Sequence, residues 1–407
     1  MPGLNFAFLS VEYPPDPFSA GIGSYTKSMA NALTSLGHKV HVITRGEVDS
    51  IRDEQGVTVH RLTPKRPALP QDFELIKVIS LVGKNLISEL QYRRKIAERL
   101  KTLIATEGLD LIEAADFMAE GIFYPVKRYP QIPFVVRLHT PFAYAERIEP
   151  YAPEMMRQAM RQLERKQLLD AHYITAPSEV SAEIFREELN LGSRPIKVMP
   201  NLPSIRRPDH LSEPTADNKV LFVGRLNKWK GTHILTRAIP KVLEHFPNTE
   251  FIFVGADHVP IEGFPNASSY LKSLVPESCH SHMQFVGRVP LDEVEHYLKT
   301  TTLCVFPSLF DNFPYTCLEA MTYGKAIIGS DQGGMVDLLD EGKAGLLYTP
   351  PSSDALAKQI LDLLANPQLR QSLGAKALTR ANEVYSYQAV LDETLQFYVE
   401  AIEKTKG

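Results

Sequence analysis

Residues 219–235 read KVLFVGRLNKWKGTHIL, and this stretch indicates how the second half of the chain is built. Its first part, Lys219–Gly224, is apolar and predicts a buried strand. Arg225 follows directly, Lys230 lies five residues further on, and Gly231 opens a segment with helical spacing. A cation at a strand end and a second at a helix N-terminus favour a diphosphate site, because the helix dipole adds to both charges. The alternative is two solvated cations at an ordinary turn.

Residues 307–334, PSLFDNFPYTCLEAMTYGKAIIGSDQGG, repeat this arrangement further along the chain. A predicted strand ends at the start of the stretch, and a helix is predicted from near Tyr315 to Gly324. Asp311 lies before that helix and Glu319 in its second turn. Their carboxylates could accept hydrogen bonds from sugar or ribose hydroxyls, while the amides of the first turn could bind an anion. The alternatives are a loop or capping role for Asp311 and a solvated helix position for Glu319.

The alternation of short apolar runs with helical patterns extends over the whole chain and predicts an α/β fold with parallel strands. In the first half the strand candidates are Leu4–Val11, Val40–Thr44, Val57–Leu62, Leu109–Ala114, Phe134–His139, Tyr173–Ala176 and Ile196–Met199. In the second half they are Lys219–Gly224, Phe251–Gly255, Met283–Gly287, Leu303–Pro307, Ala326–Ser330 and Gly345–Tyr348.

Two such arrays in series predict two domains, which suits a chain of 407 residues. The expected domains are 1–203 and 204–387, with a polar linker at 204–218. The last helix, within 388–407, is expected to pack back on the first domain. Ligands of open α/β sheets bind outside the carboxyl ends of the strands, so a cleft between the two domains is the expected site.

Two features of the first half follow predicted strands. In SAGIGSYT, residues 19–26, Gly21 and Gly23 are expected in a loop between the first strand and its helix. Glycines there let a phosphate or sugar approach the backbone, although a plain tight turn is the favoured alternative. His139 ends the predicted strand Phe134–His139 and is expected to point into the cleft. A structural histidine is an equally good interpretation.

Composition excludes several classes of protein. The net charge of −4 gives no basic excess for nucleic-acid binding. Cys279, Cys304 and Cys317 lack the spacing of a zinc site and predict buried, reduced thiols. The N-terminus lacks the pattern of a signal peptide, and no apolar run is long enough to span a membrane. Metalloprotease, hydrolase-elbow, Walker A, GxGxxG and Asp-x-Asp motifs are all missing. We therefore expect a cytoplasmic protein without a metal site.

Three segments resemble the retaining glycosyltransferases of the GT-B fold, specifically glycosyltransferase family four, the group one transferases. They are GRLNKWKG at 224–231, DNFPYTCLEAMTYGKAIIGSDQGG at 311–334 and AGIGSYTKSMANALTSLGHKVHVIT at 20–44. The resemblance covers nearly the whole chain and is strongest over 220–334. It implies two Rossmann-like domains with parallel sheets facing an interdomain cleft, the first binding the acceptor and the second the nucleotide sugar.

The resemblance also implies roles for the residues of the second domain. Arg225 and Lys230 would neutralise the leaving nucleotide diphosphate, and Glu319 would hold the ribose hydroxyls. Asp311 would lie near hydroxyls of the donor sugar. It stands where the family has Glu, so its reach is one methylene shorter.

Four further positions carry implied donor contacts. Backbone groups around Arg288 and Val289 would frame the base. Pro314 stands where glycine is frequent and has no amide to donate, so Tyr315 and Thr316 are the expected phosphate-binding amides.

In the first domain, Gly21 and Gly23 would approach the diphosphate or the acceptor, and His139 the donor sugar. No cofactor and no divalent metal are implied. The implied reaction is transfer of a hexosyl group, with retention of configuration, from UDP-glucose or another UDP-hexose to a sugar or lipid-linked saccharide. Polysaccharide or glycolipid synthesis would use such a product.

Two alternatives on the same fold are a nucleotide-sugar epimerase and a non-catalytic nucleotide-sugar-binding subunit. The intact Arg225, Lys230 and Glu319 argue against the second. Residues 73–101, with an apolar start and a basic later half, suit peripheral contact with anionic lipid at the inner face of a membrane. An amphipathic helix packed on its own domain is the favoured interpretation of that stretch.

Overall fold

The computed structural model describes residues 3–15, 21–64, 74–148, 152–203, 218–257 and 263–406, and the side chains of these except 74–85 and 143. The chain forms two compact units. Unit 1 comprises Met1–Pro177, Ala182–Leu202 and Leu391–Gly407, and unit 2 comprises Ser178–Ser181 and Pro203–Val390. Apart from Asn218, the expected linker lies outside the described residues.

The first fourteen elements begin with eight strands and five helices in alternation. They are β1 Asn5–Ser10, α1 Gly21–Ser35, β2 Lys39–Arg45, β3 Ser50–Glu54, β4 Val57–Leu62, α2 Glu74–Glu107, β5 Leu111–Ala115, β6 Phe134–Arg137, α3 Phe142–Ile148, α4 Glu154–Asp170, β7 Tyr173–Ala176, α5 Glu179–Glu188, β8 Lys197–Val198 and β9 Lys219–Val223. The remainder are α6 Thr232–Leu243, β10 Glu250–Val254, α7 Ala267–Ser273, β11 Met283–Gly287, α8 Leu291–Thr300, β12 Leu303–Phe306, α9 Tyr315–Thr322, β13 Ala326–Ser330, α10 Gly334–Leu338, β14 Leu346–Tyr348, α11 Ser353–Ala365, α12 Pro367–Glu383 and α13 Tyr387–Lys406.

The sheet of unit 2 has the strand order β11-β10-β9-β12-β13-β14, and all of its pairings are parallel. Numbered within the unit, this is the order 3-2-1-4-5-6 of a doubly wound sheet. The order reverses between β9 and β12. Ligands of such sheets bind at the carboxyl end of this switch point, so the segments after β9 and β12 are the ones to examine.

The apolar sequence of β9 explains why it is the central strand. Val220 and Phe222 pack into the core on one face of the sheet, and Leu221 and Val223 into the core on the other. A parallel strand with helices on both sides must be apolar at every position, because successive side chains alternate between the faces.

The sheet of unit 1 has the order β3-β4-β2-β1-β5-β6-β7-β8. Its pairings are parallel except for β3 with β4. The sequence analysis did not predict β3, because its residues SIRDE are mostly exposed and show no apolar alternation. The β3–β4 hairpin turns through Gln55 and Gly56, which both have positive φ, 60° and 85°.

The C-terminal helix α13 is tied to unit 1 by several side chains. Tyr398 donates a 2.7 Å hydrogen bond to the buried Glu113. Lys406 lies 2.9 Å from Asp110, and Glu393 lies 3.0 Å from Lys197. These contacts explain why residues 391–407 belong to unit 1 although they follow unit 2 in sequence.

A buried histidine pair joins two neighbouring strands of unit 1. His41 Nδ1 on β2 lies 3.1 Å from His60 Nε2 on β4. Burial lowers the pKa of both imidazoles, that of His60 to about 4, and each histidine is also near a cation, Lys39 and Arg99 respectively. The pair is therefore stable only while it is uncharged.

We expect this pair to make unit 1 sensitive to acid. A histidine whose folded pKa is depressed stabilises the fold above its unfolded pKa of about 6.5, and this stability is lost as the pH falls towards 4. Thermal unfolding followed by circular dichroism should give a midpoint that drops over this range, and His60→Gln should reduce the drop. The exposed His245 offers a matched control, since His245→Gln should leave the pH dependence unchanged. Equal pH dependence in His60→Gln and wild type would contradict this account.

Candidate functional site

The turn between β9 and α6 is fixed against the loop after β12 by a glycine. Gly231 has a φ of +67°, and a Cβ atom there would lie 1.8 Å from the carbonyl oxygen of Pro307. The amide of Leu309 also donates a 2.8 Å hydrogen bond to the carbonyl of Trp229. Only glycine allows this approach, so the turn that carries Lys230 and the loop that leads to Asp311 are held together at backbone level.

The loop after β12 is held on its other side by two more glycines. Cβ atoms at Gly333 and Gly334 would lie 2.3 Å from Asp311 O and 2.1 Å from Asn312 O. The amide of Gly334 donates a 2.8 Å hydrogen bond to Asp311 O. The segment DNFP thus lies between the β9 turn and the N-terminus of α10, at the carboxyl end of the sheet.

These backbone contacts bring two predicted site residues together. The ammonium of Lys230 forms an ion pair with the carboxylate of Asp311. Both side chains are largely buried, with 23% and 15% of their surface exposed. The sequence analysis assigned Lys230 to the diphosphate and Asp311 to sugar hydroxyls, and did not predict that they bind each other.

Arg225 occupies a different environment in the same turn. It follows β9 after Gly224, and its side chain is exposed. Within the described part of the chain, no carboxylate lies within ion-pair distance of it. Its guanidinium is therefore a cation that an external anion can reach.

Helix α9 begins directly after this loop. Cys317 and Leu318 donate their amides to the carbonyl of Pro314, at 3.0 and 3.1 Å. By helix geometry the two preceding amides, those of Tyr315 and Thr316, have no partner inside the helix, and their dipoles favour an anion. Glu319 lies in the second turn and is 7% exposed. A carboxylate at this depth is not the solvated helix residue that was the alternative.

The loop after β11 lies beside a surface groove. The groove has a volume of about 540 Å³ and is lined by Arg288, Val289, Pro290, Leu291 and Val294. The two residues predicted to frame a base, Arg288 and Val289, are thus at an accessible concave surface. Since β11 is the edge strand of the sheet, this groove lies two strands away from β9.

In unit 1 the predicted glycine loop is wrong. Gly21 and Gly23 lie in the first turn of α1, not in a loop before the helix. The amide of Gly23 donates a 2.9 Å hydrogen bond to a carboxylate oxygen of Glu12, so this helix terminus already binds an anion of the chain itself. A Cβ at Gly21 would meet nothing within 4 Å. Spacing alone could not show that the helix includes both glycines.

His139 lies beyond the strand that was predicted to contain it, because β6 ends at Arg137. It is buried, its ring centroid is 5.2 Å from that of Tyr25, and its amide donates a 2.8 Å hydrogen bond to Asp116. Burial, with the nearby Arg137 charge, lowers its pKa to about 3. His139 is therefore a neutral imidazole at physiological pH and can exchange hydrogen bonds but cannot act as an acid in its cationic form.

The sequence analysis missed a group of buried acids beside His139. Burial raises the pKa of Asp116, directly after β5, to about 7. Glu164 accepts hydrogen bonds from the amides of Met118 and Phe142, at 3.0 and 2.9 Å. Met118 has a φ of 66°, a strained value that these contacts maintain. An acid directly after a strand was the one available signal for Asp116, whereas Glu164 lies within a helix and gave none.

The remaining predictions concern thiols, metals and membranes. Cys279, Cys304 and Cys317 are buried and free, as predicted. In the part of the chain that the structure describes, no three His, Cys, Asp or Glu side chains are grouped to hold a metal ion. Over the same residues, no helix combines the length and the apolar character needed to cross a membrane.

Comparison with known families covers both units. Residues 19–202 match the profile "Glycosyltransferase Family 4", and residues 206–380 match "Glycosyl transferases group 1". The chain belongs to the group 1 glycosyltransferases of family 4. The resemblance found in the sequence is confirmed, and the protein is a glycosyltransferase.

Individual relatives support the assignment over nearly the full chain. An uncharacterized glycosyltransferase of Methanocaldococcus jannaschii, MJ1607, is 23% identical over 98% of this chain and 99% of its own. Sucrose-phosphate synthase from Thermosynechococcus elongatus superposes with a TM-score of 0.76 at 20% identity, over 98% of this chain and 100% of that one. Anabaena Alr3699/HepE in complex with UDP gives a TM-score of 0.68 at 17% identity, over 98% and 100%. The expected α/β, GT-B fold with two parallel sheets is confirmed.

The close approach at Gly231 can be tested by adding one methyl group. Gly231→Ala places a Cβ against Pro307 O and should lower the free energy of unfolding by on the order of 4 kcal/mol, in the range of severe point mutations. Gly108, with a φ of +71° and no atom within 4 Å of its Cβ position, is a matched control. Gly108→Ala carries only the left-handed backbone cost of about 1–2 kcal/mol. Urea unfolding of both variants measures the difference, and equal losses would show that the contact with Pro307 is unimportant.

Proposed function

We propose that this glycosyltransferase transfers a hexosyl group from a UDP-hexose, in the first place UDP-glucose, to a saccharide or lipid-linked saccharide. The observation that carries the proposal is the position of Arg225, Lys230 and the N-terminus of α9, all at the switch point between β9 and β12. The structural relative Alr3699/HepE is known in complex with UDP and with UDP-glucose. The epimerase and the non-catalytic subunit are not favoured by these relatives.

In the proposed mechanism the leaving diphosphate is bound by charge and by backbone dipoles. Arg225 supplies an exposed planar guanidinium, Lys230 a point charge, and the amides of Tyr315 and Thr316 the positive end of a helix. These groups stabilise the negative charge that develops as the bond from sugar to phosphate breaks. Because the protein itself supplies this positive charge, the proposed reaction uses no divalent metal and no cofactor.

Further donor contacts follow from the placement of three segments. Glu319, in the second turn of α9, would accept hydrogen bonds from ribose hydroxyls. Backbone groups of Arg288 and Val289 would frame the base at the groove beside β11. His139 would contact the donor sugar as a neutral imidazole. Gly21 and Gly23 are retained only as sites of backbone approach, now on the first turn of α1.

We propose retention of configuration, with the acceptor hydroxyl passing its proton to the departing phosphate oxygen on the same face of the sugar. The bond from acceptor oxygen to anomeric carbon forms while the bond from anomeric carbon to phosphate oxygen breaks. Positioning and electrostatic stabilisation would account for most of the rate, since this route needs no protein nucleophile.

Peripheral membrane contact through residues 73–101 is a weaker proposal. Residue 73 and the side chains of 74–85 lie outside the described residues. In the basic half, Arg93 is fully buried, pairs with Glu89 at 3.0 Å and donates to the carbonyl of Met118. Lys95 pairs with Asp49. Arg93 therefore serves the fold, and contact with anionic lipid at the inner face of a membrane would rest on the exposed Arg94 and on residues nearer the helix start.

The donor is identified by its effect on thermal stability. A nucleotide sugar present at about 100 times its dissociation constant should add about 2.7 kcal/mol to the stability of the protein. UDP-hexoses should raise the melting temperature more than GDP- or ADP-sugars. If no nucleotide or nucleotide sugar raises it, the proposed site is wrong. Release of UDP that requires an added acceptor separates transfer from epimerisation.

The role of Lys230 is tested by turnover. Lys230→Ala removes one preorganised cation from the diphosphate site and should lower turnover by roughly two to three orders of magnitude. Lys241, a surface lysine of α6 in unit 2, provides the matched control, and Lys241→Ala should retain wild-type turnover. Rates are measured as UDP released from UDP-glucose with a saccharide acceptor. Near-normal turnover of Lys230→Ala would reject the assignment.

A further inference from the structure

The ion pair between Lys230 and Asp311 is the contact of this site that the proposed reaction does not explain. Two side chains that the reaction assigns to different parts of the donor bind each other instead. A cation paired with a carboxylate is electrically neutralised, so a donor diphosphate that binds this ammonium has to compete with Asp311.

The pair is built into the scaffold and is not an accidental contact of two surface residues. The amide of Lys230 donates a 3.0 Å hydrogen bond to Asn227 Oδ1, and the following Gly231 is packed on Pro307 O. Asp311 is fixed through its carbonyl, which accepts the amide of Gly334. Both partners are thus anchored by their own backbone, and both side chains are mostly removed from water.

The position of Asp311 relative to α9 adds a second reason for competition. Asp311 precedes the helix by four residues, and its negative charge contributes, after burial and Cys304, to the raised pKa of Cys317 in the first turn. A carboxylate near the helix N-terminus is favoured by the helix dipole, as a phosphate is. Asp311 therefore shares both attractive partners, the ammonium and the helix end, with an incoming diphosphate.

We propose that Asp311 is a positioning residue that holds the Lys230 ammonium and exchanges with the donor diphosphate for it. The inference rests on the proposed function of this site. Donor binding transfers the ammonium from the carboxylate to the diphosphate, and departure of UDP returns it. The pair keeps Lys230 placed between turnovers and lowers the affinity for UDP, which favours product release.

Two other roles for Asp311 make different predictions. A side chain that only contacts sugar hydroxyls changes the affinity for UDP-glucose but not for UDP. A side chain that only supports the fold weakens every ligand together with stability. Competition for the ammonium has the opposite sign for UDP, because removal of the carboxylate makes the site more positive.

The test uses Asp311→Asn, which keeps the shape of the side chain and removes its charge. Titration calorimetry should show UDP binding about tenfold more tightly than to wild type, the size expected for loss of one partly screened charge. Binding of uridine, which lacks the diphosphate, should be unchanged. The kcat should fall about tenfold because Lys230 loses its anchor. Asp311→Glu, which restores a carboxylate, should bind UDP with near wild-type affinity.

The matched control is Asp354→Asn, which breaks the exposed pair of Asp354 with Lys241 on the same unit, 3.1 Å apart. It should leave UDP affinity and kcat unchanged. Unchanged or weaker UDP binding in Asp311→Asn, with wild-type UDP binding intact, overturns the inference alone. A wild-type protein that binds neither UDP nor UDP-glucose overturns the proposed function and, with it, the role of Asp311.

Discussion

The site of unit 2 depends on one close backbone contact across the middle of its sheet. Strands β9 and β12 are neighbours at the point where the strand order reverses, so the chain leaves the sheet on different paths after each. Gly231 allows the turn after β9 to touch the backbone at Pro307, where the loop after β12 begins. Without that contact, the cations of one segment and the acids of the other would not be held in one place.

Unit 1 reaches a comparable rigidity by other means. Its loops after β5 and β6 are joined by buried carboxylates that accept backbone amides, Asp116 from His139 and Glu164 from Met118 and Phe142. Such bonds are strong in a buried environment and fix the backbone more than the side chain. Unit 2 therefore presents charged side chains at its switch point, whereas unit 1 presents a neutral histidine supported from behind.

Much of the fold could be predicted from the sequence because parallel strands buried on both faces are apolar at every position. This pattern identified β9, β10, β12 and β13 without ambiguity. The hairpin strand β3 could not be found, since an exposed edge strand needs no apolar residues. The start of α1 was misplaced because helical periodicity does not say how far the first turn extends towards a glycine-rich segment.

The site was predictable in its members but not in its contacts. Arg225, Lys230, Asp311 and Glu319 all follow strands or open helices, and this position is visible in the sequence. Pairing of Lys230 with Asp311, over 81 positions of sequence, depends on backbone approaches that only the fold can show. Glu164 was missed for the same reason, since its partners are amides of distant loops.

The central claim is that the β9 and β12 segments form a preorganised diphosphate site in which Lys230 changes partner. A crystal structure of the wild-type protein with UDP tests it most directly. We predict Lys230 Nζ within hydrogen-bond distance of a diphosphate oxygen and no longer on Asp311, with the contacts of Gly231 and Gly334 unchanged. UDP bound away from this switch point, or UDP bound there with Lys230 still paired to Asp311, would contradict the account.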